Sequence, residues 1–318
     1  MRPHERHFPG MPPWGMAVGA MFSVQLGSAL SVHLIPSVGE AGTAWLRLSM
    51  GALIFLAVAR PPLRTVRRHD LPTLFGLGVT TGLQTIAFLA AIDRIPLGTA
   101  VAIEFLGPLT VAAVRSHSAR ALTWPALALT GVVLLTQPWH GHPRPAGLGF
   151  AALAALGWAT YILLTRRIGD RFSGIGGLTL TVPISAATAA VFGIPQAAGH
   201  LTVGIVAAAA GLALLLPVLP FTFELLALRH LTPTAFGTLM ALEPAFGLLL
   251  GLLVLHQMPS PVQLLGILLV VVAGGAAQRG GRRHPPSGTE PEPCPLGITP
   301  ERPTPSEAAP APRQSTAG

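Results

Sequence analysis

Apolar residues gather in blocks of about 17–26 positions, and short polar stretches rich in Arg, Pro and Gly separate them. Each block can cross a hydrocarbon core of about 30 Å as a helix. The blocks fall at 14–34, 43–59, 71–92, 98–114, 122–138, 147–165, 175–197, 203–228, 234–255 and 261–277. They predict an all-α membrane protein with ten transmembrane helices. The seventh, "GGLTLTVPISAATAAVFGIPQAA", is rich in Gly, Thr and Pro. Composition agrees: 51% of residues are hydrophobic, 10% are charged and the mean hydropathy is +0.60, whereas a soluble domain carries about 25% charged residues.

The opening segment 1–13, "MRPHERHFPGMPP", is basic, but the apolar run after it is too long for a cleavable signal and reads as a retained first helix. From 279 to 318 the chain is dense in Pro, Gly, Ser and Thr without apolar period, which predicts a disordered tail. The single cysteine, Cys294, lies there, so no intramolecular disulfide can form.

The net charge of +8 comes from twenty arginines without a lysine. They form no continuous stripe with interleaved aromatics, so a nucleic-acid partner is not expected. They read instead as a topology signal. Loops two, four, six and eight hold Arg60, Arg64, Arg67, Arg68, Arg115, Arg120, Arg166, Arg167, Arg171 and Arg229. The opposite loops hold only Arg94 and Arg144. Arg2, Arg6, Arg279, Arg282 and Arg283 put both termini on the Arg-rich side, hence in the cytoplasm.

The chain also repeats itself. "AAIDRIPLGTAVAIEFLGP" at 90–108 lies over "LALRHLTPTAFGTLMALEP" at 226–244 without gaps, with Pro108 on Pro244. Five helices per half is an odd number, so the halves 14–138 and 147–277 are expected to be inverted repeats. Pairs such as Gly15/Gly19, Gly78/Gly82 and Gly247/Gly251 allow close helix contact, and a homodimer is left open.

Four charged side chains stand inside the blocks: Arg47, Glu104, Glu224 and Glu243. Such groups are costly in hydrocarbon and belong in the bundle interior or a wet cavity. A buried ion pair that only fixes packing is the competing explanation. Glu104 stands one turn before Pro108, and Glu243 stands immediately before Pro244. Proline removes a donor and clashes with the carbonyl four residues earlier, so kinks are expected beside both acids. Gln25 and Gln84 can donate to and accept from a zwitterion, or bond between helices. Trp158 and Tyr161 share a helix face and can bound a ligand or simply pack. The eleven histidines show no metal spacing on a helix, and "HGH" at 140–142 is a loop pair. No P-loop, HExxH, GxSxG or paired CxxC occurs. No metal or cofactor is therefore expected, and an acid/base enzyme would lack its nucleophile.

These residues carry a resemblance. "IPLGTAVAIEFLGPLTVA" at 95–112 and "LPFTFELLALRHLTPTAFGTLMALEP" at 219–244 resemble the signature regions of bacterial threonine/homoserine exporters, within the EamA-repeat drug/metabolite transporter superfamily. "AMFSVQLGSALSVHLIPSVG", "LRLSMG" and "GWATYIL" place Gln25, Arg47, Trp158 and Tyr161 in the matching helices. The chain departs at "LHQM", with His256 and Gln257 where relatives carry Gly-Glu, and at His33, where a basic residue is common. The resemblance implies a bacterial inner-membrane exporter of small amino acids by alternating access, driven by proton antiport. Glu104, Glu224 and Glu243 would then bind an ammonium or a proton, and Arg47 with Gln25 a carboxylate. The alternative is the same fold exporting drug-like cations, purines or other metabolites.

Overall fold

The computed structural model describes residues 12–58, 66–115, 122–137, 144–168, 175–228, 230–231 and 233–280. The segment 1–11, the stretch from 281 onward and the loops at 59–65, 116–121, 138–143 and 169–174 lie outside them. So do Arg60, Arg64, Arg120, Arg171, Arg229, the His140 and His142 pair and Cys294. Among the described residues no strand occurs. The helices are α1 (Pro13–Val58), α2 (Leu71–Ile92), α3 (Leu97–Glu104), α4 (Leu106–Arg115), α5 (Thr123–Thr136) and α6 (Pro145–Ile168). They continue with α7 (Ile175–Ala197), α8 (Val203–Ala213), α9 (Leu219–Leu228), α10 (Pro233–Met240), α11 (Glu243–Leu255) and α12 (Pro261–Gly280).

Seven helical stretches among the described residues are long and apolar enough to cross a membrane, and Thr123–Thr136 and Pro261–Ala277 are shorter apolar helices. The outside of the bundle is apolar. Leu53, Phe75, Leu156, Val191, Phe192 and Leu253 are all more than half exposed. The inside holds polar groups: Ser23, Gln25, Ser28, Ser31, Thr43, Arg47, Thr99 and Glu243 are buried. A protein folded in water would reverse that order. In a bilayer it is the stable one, because lipid solvates the apolar face and every polar atom needs a partner inside. Serine and threonine meet that demand locally, with Ser28, Ser31, Thr43, Thr81 and Thr85 each donating to the carbonyl four residues earlier.

The stretch 35–42, expected as a loop, is helical except at Gly39, whose φ of 75° and ψ of 169° bend α1. That backbone region is open essentially to glycine alone. The bend leaves the donors of Ala41 and Gly42 without helical acceptors, and Gln196 Oε1 accepts both, at 2.8 and 3.2 Å. A distant side chain thereby starts the second arm of α1, the arm that carries Arg47.

α1 packs on α7, α2 on α6 and α7, α5 on α12, and α3 on α11. Some crossings are backbone to backbone. A Cβ at Gly98 would meet the Leu248 backbone at 3.0 Å, while one at Gly247 would meet the Val101 side chain at 3.0 Å. Gly78 and Gly82 bring α2 equally close to Ile184 and Ser185 of α7. Leu89, Leu97, Val101, Leu109, Leu135 and Val270 fill the space between and are almost wholly buried.

Gly39→Ala combines a forbidden dihedral with a methyl group overlapping Gln196. It should destabilise the protein by about 2 kcal/mol or more. Gly199→Ala, at φ 80° with open space around it, is the control and should shift the detergent melting temperature less.

Candidate functional site

The helices that carry the three intramembrane glutamates are interrupted. α3 stops at Glu104, Phe105 forms a turn, and α4 resumes with Pro108 in its first turn. α10 stops at Met240, Ala241 and Leu242 form a turn, and α11 resumes with Glu243 and Pro244. The block 203–228, expected as one helix, is broken by a wide turn at Leu214–Val218 around Pro217, where Leu216 leaves helical geometry (φ −160°, ψ 108°). In each case the proline withholds the donor that would continue the ladder. One freed group has a visible partner: Ser23 Oγ of α1 donates to Leu215 O at 2.7 Å. Glu224 follows on α9.

Around these breaks the polar side chains converge. Gln84 Nε2 of α2 donates to Glu104 Oε1 at 3.0 Å. Arg47 is 4% exposed and its Nη1 donates to Ser31 Oγ at 3.1 Å. Arg47 and Glu104 are close enough to interact through space, as are Glu104 and Glu243, and Glu243 and Glu224. Tyr161 feels Glu224 in the same way. Trp158 meets Phe105 edge-on, with ring centroids 6.2 Å apart, so it lies against the turn that ends α3. Gln25 is buried, with Oε1 3.5 Å from where a Cβ on Gly247 would stand. Gly247 is one helical turn after Glu243, on the same face of α11. Arg47, Gln84, Glu104, Glu224, Glu243 and Tyr161 are thus joined in one region, with Trp158 and Gln25 at its edges.

Two polar atoms here are buried without a hydrogen-bond partner among the described residues: Gln25 Oε1 and Arg47 Nε. One is an acceptor and the other a charged donor. A buried, unpaired polar group costs about 1–3 kcal/mol, so partners for both would be favourable. No group of three or more His, Cys, Asp or Glu is arranged to hold a metal ion among the described residues.

Ser31 was not picked out from the sequence. Its hydroxyl donates to Gly27 O at 2.6 Å and accepts from Arg47, so it fixes the guanidinium in place. A polar residue four positions after a glycine in an apolar helix was its only signal. Gln257, which in sequence stands out only as a departure from relatives, accepts through Oε1 from Leu97 N at 3.0 Å, at the start of α3.

Ser31→Ala removes an acceptor from a buried guanidinium and should cost about 1–3 kcal/mol. Ser31→Thr, which keeps the hydroxyl, should recover most of it. Thermal unfolding of the two variants in detergent measures the difference.

Comparison with known proteins supplies the lineage. Residues 145–274 match the EamA-like transporter family. The threonine/homoserine exporter RhtA of Escherichia coli (strain K12) is 35% identical over 270 residues, covering 81% of this chain and 89% of its own. The RhtA of Salmonella typhimurium (strain SL1344) is 33% identical over 276 residues, covering 84% and 91%. A solved crystal structure superposes at a TM-score of 0.57 and 19% identity, over 83% of this chain and 98% of its own, and shares the fold. With apolar helices of membrane-crossing length and bacterial relatives of this kind, the chain is a multi-pass inner-membrane protein and belongs to the EamA-like transporter family.

Proposed function

We propose that the chain is a secondary active exporter of small amino acids of the threonine/homoserine kind, or of related metabolites. On this reading it works by alternating access between two inverted five-helix halves, 14–138 and 147–277, with both termini in the cytoplasm. The relatives export threonine and homoserine by name, and identity over most of the chain supports carrying that substrate class across. The arginine bias of the loops supports the orientation.

The observation that carries the reading is the pair of buried, unsatisfied atoms: Nε of Arg47, which interacts with Glu104, and Gln25 Oε1, which lies against α11 one turn after Glu243. An α-amino acid is a zwitterion, and each end has a counterpart. The Arg47 guanidinium, with its free Nε–H, suits the carboxylate. Gln25 Oε1 is an acceptor, which suits the ammonium better than the carboxylate, and Glu243 stands one turn away. Trp158 and Tyr161 would flank the side chain.

Charge balance supports proton coupling. Arg47 interacts through space with Glu104, Glu104 with Glu243 and Glu243 with Glu224, so one guanidinium stands against three linked acids, and protons or a cationic ligand would offset the excess charge. A proton and a substrate ammonium would compete for the same acids, and that competition is antiport in chemical terms. Glu104 is the acid assigned to the exchange, because Gln84 and Arg47 both hold it.

Efflux of labelled threonine and homoserine from proteoliposomes, with and without an opposing proton gradient, tests the reading. Wild type should export faster with the gradient. Glu104→Gln should lose the pH response and at least about tenfold in rate, the scale of one charged hydrogen bond to a ligand. Equal rate and pH dependence in Glu104→Gln would remove that residue from the mechanism. Export of drug-like cations or purines but of neither amino acid would move the substrate class.

A further inference from the structure

We infer that Glu40, Arg94 and Gln196 form a latch that closes the arginine-poor end of the bundle above the buried acids, and that substrate can leave only when it opens; the inference rests on the exporter reading above. Arg94 Nη2 pairs with Glu40 Oε1 at 2.7 Å, joining the loop after α2 to the bend of α1. Residues from beyond 144 hold this pair on both sides. Gln196 Nε2 of α7 donates to Glu40 Oε2 at 3.2 Å, and the Phe150 ring of α6 lies 5.2 Å beneath the Arg94 guanidinium. The chain of contacts Phe150, Arg94, Glu40, Gln196 therefore starts and ends in the second half and passes through the first.

The pair is built to be reversible. The Arg94 side chain is 30% exposed and that of Glu40 17%, and an ion pair partly in water is held weakly. Arg94 Nη1 also donates to Ala90 O at 2.7 Å, and Asp93 Oδ2 stands 3.5 Å away, so the guanidinium keeps partners when Glu40 leaves. Gln196 links the latch to α1 itself, since its other atom caps Ala41 and Gly42. Moving Gln196 away would release both Glu40 and the start of the helix that carries Arg47. Arg47 lies seven residues past Glu40, about 10 Å along that helix.

The same end carries further ties between the halves. Leu97 N donates to Gln257 Oε1 at 3.0 Å, Gln137 Nε2 to Ser260 Oγ at 2.7 Å, and Gln263 Nε2 to Leu135 O at 3.1 Å. Those bonds involve neutral groups. Glu40 and Arg94 are the charged contact of the set, and charge exchange can test it directly.

A thiol placed inside reads whether the latch is shut. In a Cys294→Ser background, Ser31→Cys puts one thiol beside Arg47, and a membrane-impermeant maleimide is applied to intact cells and to inside-out vesicles. The labelling rate from the arginine-poor side should rise about two- to fivefold in Glu40→Gln and in Arg94→Gln, the shift that losing one partly exposed pair gives a two-state equilibrium. The exchange Glu40→Arg with Arg94→Glu should bring it back towards the starting value. Unchanged labelling in both single variants, or no return in the exchange, would overturn the latch. Labelling needs no substrate, so a failure of threonine export leaves this result readable and separates the two ideas.

Discussion

A backbone in hydrocarbon must satisfy its own hydrogen bonds, and the rest of this structure follows from where it does not. Three helices break within the bundle, at Phe105, at Ala241–Leu242 and at Leu214–Val218. Broken backbone survives at that depth only if protein or water answers the freed groups. Each break therefore demands polar neighbours, and a carboxylate placed beside it finds surroundings that a continuous apolar helix would deny. Ser23 bonding to the Leu215 carbonyl shows the demand being met from another helix.

The polar groups that gather at the breaks are held by a small number of specific contacts. Gln84 fixes Glu104 and Ser31 fixes Arg47, while Gln25 Oε1 and Arg47 Nε are left unpaired. Full satisfaction would make this region a structural polar core, stable and inert. On the reading proposed above, the open acceptor and the open charged donor would receive a molecule with both a positive and a negative end.

Much of this was legible in the sequence because it obeys one-dimensional rules. Apolar block length marked the membrane helices, and the proline offsets marked breaks beside Glu104 and Glu243. What could not be read depends on residues far apart in the chain. The segment 35–42 reads as a loop in sequence, yet it is helical on both sides of Gly39, and Gln196 caps the second arm from more than 150 positions away. The interruption at Pro217 sits in a continuous apolar run, whose hydropathy is indifferent to one proline. Ser31 and Gln257 are ordinary polar residues until their partners, Arg47 and Leu97, are placed in space. The partner of Arg94 across the bundle end, Glu40, lies beyond any local pattern.

The contact between α3 and α11 has a mechanical result. At Gly98 the α3 backbone meets the Leu248 backbone of α11, and at Gly247 the Val101 side chain of α3 packs straight onto the α11 backbone. Bulky side chains can swivel and let neighbouring helices slide, whereas bare backbones pressed together have little slack. α3 ends in Glu104 and α11 begins with Glu243, so the crossing works as a yoke that carries both acids at a set spacing. A methyl group added at Gly98 would press on the Leu248 backbone and so alter the distance between the two acids without touching either of them.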